Sequence, residues 1–322
     1  MQTPLTSKAD QSQQRALENG CGAFVWDNAS IVSHRGPDAL DLLHRLTTKD
    51  LLSVKLGHSR RTALTSDRGR VVDVFLVVNT PEPEHEFMLI SDSTDSKRLI
   101  SAIDYYTIME DAELADMSAS STRISLVGPT SKKTAEAAFG VNVEPDSSIE
   151  YAVGDDSVKI VSDSSRGVDW VEVICENGNL ASVLSKITAA GAVEIDSANF
   201  EYFRIDHEIP GADREYGEHS NPIEAGLLHL IDWDKGCYVG QEVIARLDAY
   251  DKVQRNVKVL KSADPIGQGT KLVSDSKPAG IVTSSSTLEN ENGEFLSLAL
   301  VRKAFLDSNT TLDADGVTVT VR

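Results

Sequence analysis

The feature that most constrains this chain is a pattern used twice. Ile31 to Pro37 is a short apolar strand closed by Gly36-Pro37. A helical spacing of leucines follows, at Leu40, Leu43 and Leu46 and then Leu51 and Leu52. Ile124-Ser125-Leu126-Val127-Gly128-Pro129 repeats the opening, and an alanine-rich helix then runs to Phe139. Asp67-Arg68-Gly69 before the buried strand Val71 to Val78 is echoed by Ser165-Arg166-Gly167 before the strand Trp170 to Ile174. The offset, a little under a hundred residues, is that of a duplicated module and not of a solenoid. Two related α+β modules are therefore expected. Phe24 to Val32 and Phe87 to Ile90 read as further strands, and Asp95 to Tyr106 as a helix. Leu180 to Ala190 reads as a helix capped by Gly191.

After Asp251 the character changes. Val253 to Leu260 alternates, Lys271 to Val273 is short, and Gly280 to Thr283 follows a Pro-Ala-Gly turn. Ser284 to Ser286 reads as another turn, and Phe295 to Val301 and Val317 to Val321 as strands. Short strands separated by turns predict a small antiparallel β-barrel. The organisation is then a polar, mobile lead-in over 1–20, two modules over about 21–115 and 116–250, and the barrel over 251–322.

Fifty acids against 31 lysines and arginines give a net charge of −19. Such a chain is repelled by phosphate backbones and anionic membranes, so neither nucleic acid nor membrane is expected as a partner. The first twenty residues are polar, without the apolar core of a signal peptide and without the arginines of a transit peptide. The cytoplasm is the expected location, and a monomer the expected state. Cys21, Cys175 and Cys237 are too few and too scattered for a disulfide framework or a self-contained iron–sulfur site. The histidines show no metal-binding spacing.

The densest unusual segment is Lys235-Gly236-Cys237-Tyr238-Val239-Gly240-Gln241-Glu242, followed by Val243, Ile244 and Leu247 on one helical face. Two glycines bracket the cysteine and permit tight or left-handed backbone. Lys235 and a following helix start would favour the thiolate. The alternative from the residues alone is a small buried hydrophobe in a glycine turn. Asp206-His207-Glu208 reads as a solvated strand end.

This octapeptide resembles the signature of the YgfZ family, a branch of the T-protein (aminomethyltransferase) superfamily. The likeness extends to Asn221-Pro222-Ile223-Glu224-Ala225-Gly226-Leu227. It also includes Phe203-Arg204-Ile205 with Ile209-Pro210, similar to an Arg-Ile/Leu strand and loop, and Ile31 to Asp50. Lys277 to Thr283 and Ala299 to Arg302 fit the family's barrel. The resemblance implies two α+β modules and the barrel arranged as a ring around a cavity for tetrahydrofolate or a derivative. It implies Arg204 near the pterin and Glu172 as a carboxylate that bonds the pterin ring; a surface strand residue is the other reading of Glu172. It further implies a tetrahydrofolate-binding protein that helps to assemble or repair iron–sulfur clusters in client enzymes, with Cys237 as the working thiol, tuned by Lys235. Gly236, Tyr238, Gly240, Gln241 and Glu242 complete the motif, and iron–sulfur client or assembly proteins are the partners. Aminomethyltransferases carry an acidic pair where this chain reads Asp73-Val74. Val74 can neither accept a proton nor stabilise a cation, so the chain is not expected to be an active aminomethyltransferase. A one-carbon transferase using Asp73, and a non-catalytic scaffold, are the alternatives.

Overall fold

The repeat read from the sequence is a repeat of topology. The computed structural model of the protein describes residues 8–81, 83, 85–154 and 156–322, the first four of these by backbone alone. After α1 (Lys8–Asn19) and β1 (Gly22–Val25), the first module runs β2 (Ser30–Arg35), α2 (Ala39–Leu46), β3 (His58–Thr65), β4 (Val71–Asn79), β5 (Glu86–Ser91), α3 (Ser96–Asp104) and β6 (Glu113–Asp116). The second runs β7 (Ser121–Val127), α4 (Ser131–Phe139), β8 (Ser148–Val153), β9 (Asp156–Ser162), β10 (Trp170–Glu176), α5 (Leu180–Ala189) and β11 (Val193–Glu194). The sheets have strand orders β6-β2-β5-β4-β3 and β11-β1-β7-β10-β9-β8. Strand for strand, β2-β5-β4-β3 repeats as β7-β10-β9-β8. The first sequence echo thus pairs equivalent elements. The Arg-Gly echo does not: Asp67-Arg68-Gly69 joins β3 to β4, whereas Ser165-Arg166-Gly167 joins β9 to β10, one strand later.

Contacts divide the chain into two compact units. Unit 1 is Met1–His44, Asp50–Arg61 and Phe75–Asn199, and unit 2 is Arg45–Lys49, Thr62–Val74 and Phe200–Arg322. Unit 1 has two cores. One lies under α4 and α5, where Ala135, Phe139, Val183 and Ile187 meet Leu126, Ile160, Val171 and Val173. The other lies between the two sheets, where Ile31, Leu76, Val78 and Ile90 meet Val161 and Ile174. Alternation along β9 and β10 sends neighbouring residues to these opposite faces.

Unit 2 holds α6 (Ser197–Asp206) from Phe200 onward, α7 (Gln241–Ala249) and six further strands: β12 (Arg255–Ser262), β13 (Lys271–Ser274), β14 (Lys277–Glu289), β15 (Phe295–Arg302), β16 (Thr311–Ala314) and β17 (Val317–Val321). The strands close as the barrel β12-β15-β14-β13-β16-β17, as the alternating pattern predicts. Its interior is filled by Leu260, Leu272, Val282, Ala299, Val301 and Leu312, among others. Tyr202 and Ile205 of α6 pack on its outer face against Val257, Val259, Leu298 and Leu300.

Three local readings are corrected. The lead-in contains helix α1, which buries Ala16 and Leu17. Phe203-Arg204-Ile205 lies in helix α6 and not in a strand, so Asp206-His207-Glu208 is a helix end, with Glu208 at φ 53°. The signal for that helix is Asp196, whose carboxylate caps the Asn199 N–H at 2.8 Å. Ser284 to Ser286 lies within β14 beside a register shift. The turn before it is formed by Asp275 and Ser276, both left-handed (φ 46° and 63°), as a two-residue hairpin loop requires.

Candidate functional site

The cysteine loop is built inside unit 2. Lys235 donates from Nζ to the Thr47 carbonyl at 2.6 Å and to that of Lys49 at 3.1 Å. Thr65 Oγ1 donates to the Val239 carbonyl at 2.5 Å. Gly240 sits at φ 84°, and a Cβ there would lie 2.4 Å from the Ser66 carbonyl oxygen, so only glycine fits. Gly236 shows neither constraint: its φ is not positive, and a Cβ would meet nothing within 4 Å. Tyr238 is buried with Ile231 and Ile244. Burial pushes its phenol up to about 12, and the Lys235 ammonium lies 5.3 Å from the ring centroid. Gln241 and Glu242 open α7, where an acidic side chain complements the helix dipole. Lys235 is thus a staple that holds the loop to residues 47–49.

Held this way, the loop presents Cys237 to solvent. The reading as a buried small hydrophobe is therefore set aside for Cys237. It fits the other two cysteines, Cys21 and Cys175, which lie in the core under α4 and α5. Burial pushes each of those thiols up to about 11. Cys237 is thus the one exposed thiol of the three.

Arg204 and Glu172 lie in different units. In unit 2, Arg204 donates from Nε and Nη2 to the Glu201 carboxylate, from Nη1 to Glu215 Oε2 and the Ile209 carbonyl, and from Nη2 to Ser284 Oγ. Ser284 Oγ in turn donates to Glu215 Oε1 at 2.7 Å, which explains a serine in that strand. Every N–H of the guanidinium is used.

In unit 1, Glu172 lies on the face of β10 between the two sheets and is fully buried, so the surface-strand reading of it is overturned. Its Oε2 accepts from Arg123 Nε at 2.9 Å and Ser125 Oγ at 2.7 Å. Its Oε1 accepts from Arg123 Nη2 and from Trp170 Nε1 at 2.8 Å. The side-by-side N–H donors that a carboxylate seeks are supplied here by Arg123. The cluster widens through Arg61, which reaches Asp163 and Asp92 at 2.8 Å each, and Arg166, which reaches Asp92 at 2.6 Å. The guanidiniums of Arg123 and Arg166 lie over Trp26 and Trp170, 4.3 and 4.2 Å from the ring centroids. Burial by itself would raise the carboxyls of Glu172, Asp92 and Asp163, but the guanidinium groups outweigh it and hold all three below their ordinary range. The polar atoms of Arg204 and of Glu172 are thus engaged by partners within the protein.

Asp73, on β4, is fully buried and accepts from the Val74 N–H at 2.7 Å. Val74 packs in a buried cluster with Val71, Tyr216 and Leu227. Among the described residues, no group of three or more His, Cys, Asp or Glu is placed to hold a metal ion, and no helix is long and apolar enough to cross a membrane.

The model of the GCVT N-terminal domain matches residues 3–235, most of the chain. The chain belongs to that family. Among curated relatives, it is 25% identical to a presumed transferase of Arabidopsis thaliana chloroplasts, over 95% of this chain and 71% of the other. It is 22% identical to an aminomethyltransferase of Geobacillus kaustophilus (strain HTA426), over 93% and 84%. Among solved structures, the glycine cleavage system aminomethyltransferase T of Bartonella henselae superposes with a TM-score of 0.82 at 17% identity, covering 97% of this chain and 87% of that one. The chain thus has the GCVT-type fold, with α+β modules and a closed antiparallel barrel.

One feature of this family member escapes the sequence reading. Tyr105, Ile108 and Met109, just after α3, are 77%, 83% and 93% exposed. Three large apolar side chains thus stand in solvent within five residues. Their signal was present in the sequence: Tyr105, Tyr106, Ile108 and Met109 crowd between Asp104 and Glu110, directly after a helix.

Proposed function

We propose that this chain is a tetrahydrofolate-binding protein that serves iron–sulfur enzymes through the Cys237 thiol, and that it is not an aminomethyltransferase. The observation that carries the thiol half is the cysteine loop. Of three cysteines, the exposed one stands on a segment fixed by the Lys235 staple, by Thr65 and by the close approach at Gly240. A fixed, exposed thiol suits soft iron-bearing clients as substrates. Lys235, Gly240 and Tyr238 shape the loop, and Gln241 and Glu242 start the helix behind it. The folate half rests on the family, whose members include named aminomethyltransferases. A cytoplasmic monomer belongs to the same reading.

Replacing Cys237 by alanine in cells should lower the activity of iron–sulfur enzymes while leaving the protein's abundance unchanged. Normal activity of those enzymes in that strain ends the thiol role. Anaerobic titration of purified protein with tetrahydrofolate, read as heat and tryptophan quenching, tests the other half. Saturation at micromolar concentration supports it, and no binding at millimolar folate removes it.

The second reading is one-carbon transfer with Asp73 as acid or base. The burial of Asp73 and the valine beside it weigh against it. One-carbon turnover by the wild type that disappears in Asp73→Asn would reverse that judgement.

A further inference from the structure

The barrel carries a second candidate ligand site, independent of the reading above. On its outer face, β12 and β15 pair in antiparallel register, with Val259 opposite Leu298, Val257 opposite Leu300 and Arg255 opposite Arg302. The valine and leucine pairs belong to the apolar cluster capped by Tyr202 and Ile205. Two residues further along the same row, the apolar ladder gives way to two arginines face to face. Like charges directly opposite each other destabilise a strand pair. Arg255 is partly compensated, with Glu224 at 3.4 Å and the His219 carbonyl accepting from its Nη2. Arg302 has no ion pair among the described residues, and neighbouring Lys303 pairs with Asp251 instead.

A cleft of about 450 Å³ opens at this point, lined by Gln254, Arg255, Pro278, Ile281, Leu300 and Arg302, with Gly280. That volume lies within the range of small-molecule sites, roughly 300–1,000 Å³. Gly280 keeps the strands close there, since a Cβ would lie 2.5 Å from the Leu300 carbonyl oxygen. Among the described residues no carboxylate lines the cleft, although the chain holds 50 of them. In so acidic a protein, a cleft with two arginines, one of them uncompensated, and an apolar wall is shaped for a particular chemistry.

We propose that this cleft binds a small organic anion, with a phosphate or carboxylate between the two guanidiniums and an apolar group against Ile281 and Pro278. Planar guanidinium forks recognise both anions through paired N–H donors. The anion supplies the charge that the Arg255–Arg302 pair lacks.

The test titrates full-length protein with phenyl phosphate, phenylacetate and inorganic phosphate, following heat and melting temperature. At least one of the two aromatic anions should saturate and bind about tenfold or more tighter than inorganic phosphate, the preferred one naming the anion. Arg302→Gln should weaken it about tenfold or more without lowering the melting temperature of the free protein. Arg302→Glu gives Arg255 a partner across the strands. It should abolish binding and raise the melting temperature. Failure of both aromatic anions to saturate the wild type overturns the proposal, as does binding that Arg302→Gln leaves within about twofold.

Discussion

The buried cluster of unit 1 and the cysteine loop of unit 2 both gather charged and reactive side chains, and they do opposite things with them. Arg61, Arg123 and Arg166 meet Asp92, Asp163 and Glu172 between two sheets, almost wholly out of water. There the guanidinium partners outweigh burial and hold the three carboxyls below their ordinary range. In the loop, Lys235 is spent on backbone carbonyls, and Cys237 is left facing water. Strongly shifted carboxylates are often taken as the mark of an active site. In this protein they mark a joint between sheets, and the candidate for chemistry lies where the backbone is fixed and the side chain is free.

The contrast breaks first at Arg123. Arg123→Met would leave Glu172 charged and buried, and should cost about 3–5 kcal/mol in urea unfolding. A loss below about 1 kcal/mol would mean that the cluster is not structural. Adding Glu172→Gln should recover a good part of it, because the two sites are coupled.

Acid probes the same unit. His34, on β2, is fully buried, with neither ring nitrogen hydrogen-bonded, and burial pushes its pKa from 6.5 down to about 4. The folded state holds this ring neutral. Its contribution is therefore complete above pH 6.5 and lost as pH falls to about 4, roughly 3 kcal/mol in all. The three lowered carboxylates act in the same direction further down: their contribution is present above about pH 5 and drains as pH falls through and below the ordinary carboxylate range. His34→Leu should flatten the upper part of the stability curve and leave the lower part. An unchanged slope between pH 6.5 and 4 would count against the neutral ring.

Gly240→Ala sharpens the other side. A left-handed alanine against the Ser66 carbonyl should cost about 1–3 kcal/mol and disturb Cys237, which thiol-reaction rates with a neutral disulfide would report. The smallest effect is expected at Cys237→Ala, within about 0.5 kcal/mol of wild type in thermal unfolding. A cost of several kcal/mol would show that the thiol is a packing residue after all.

Much of this was legible in the sequence. Alternation and turn residues place the barrel, and Gly-Pro between a strand and a helix marks both modules. The glycine-bracketed cysteine stands out by density alone. What could not be read depends on partners far along the chain. Nothing near Glu172 in sequence announces Arg123, because the two meet across β7 and β10. Arg204 looked like a strand residue, yet the Asp196 cap and the packing of Tyr202 and Ile205 make its segment a helix. The Arg-Gly turns looked equivalent, but they follow different strands of the repeat, since a short turn motif says that the chain reverses and not which strands it joins.

The two units exchange chain at five places, between residues 44 and 45, 49 and 50, 61 and 62, 74 and 75, and 199 and 200. No single cut can therefore release either unit whole. During synthesis, which delivers the N-terminal part first, unit 1 has its full complement once residue 199 has emerged. Segments 45–49 and 62–74, already exposed by then, must wait for residues 200–322 before their own unit can close. The floor beneath the cysteine loop is thus among the first parts made and the last to be covered.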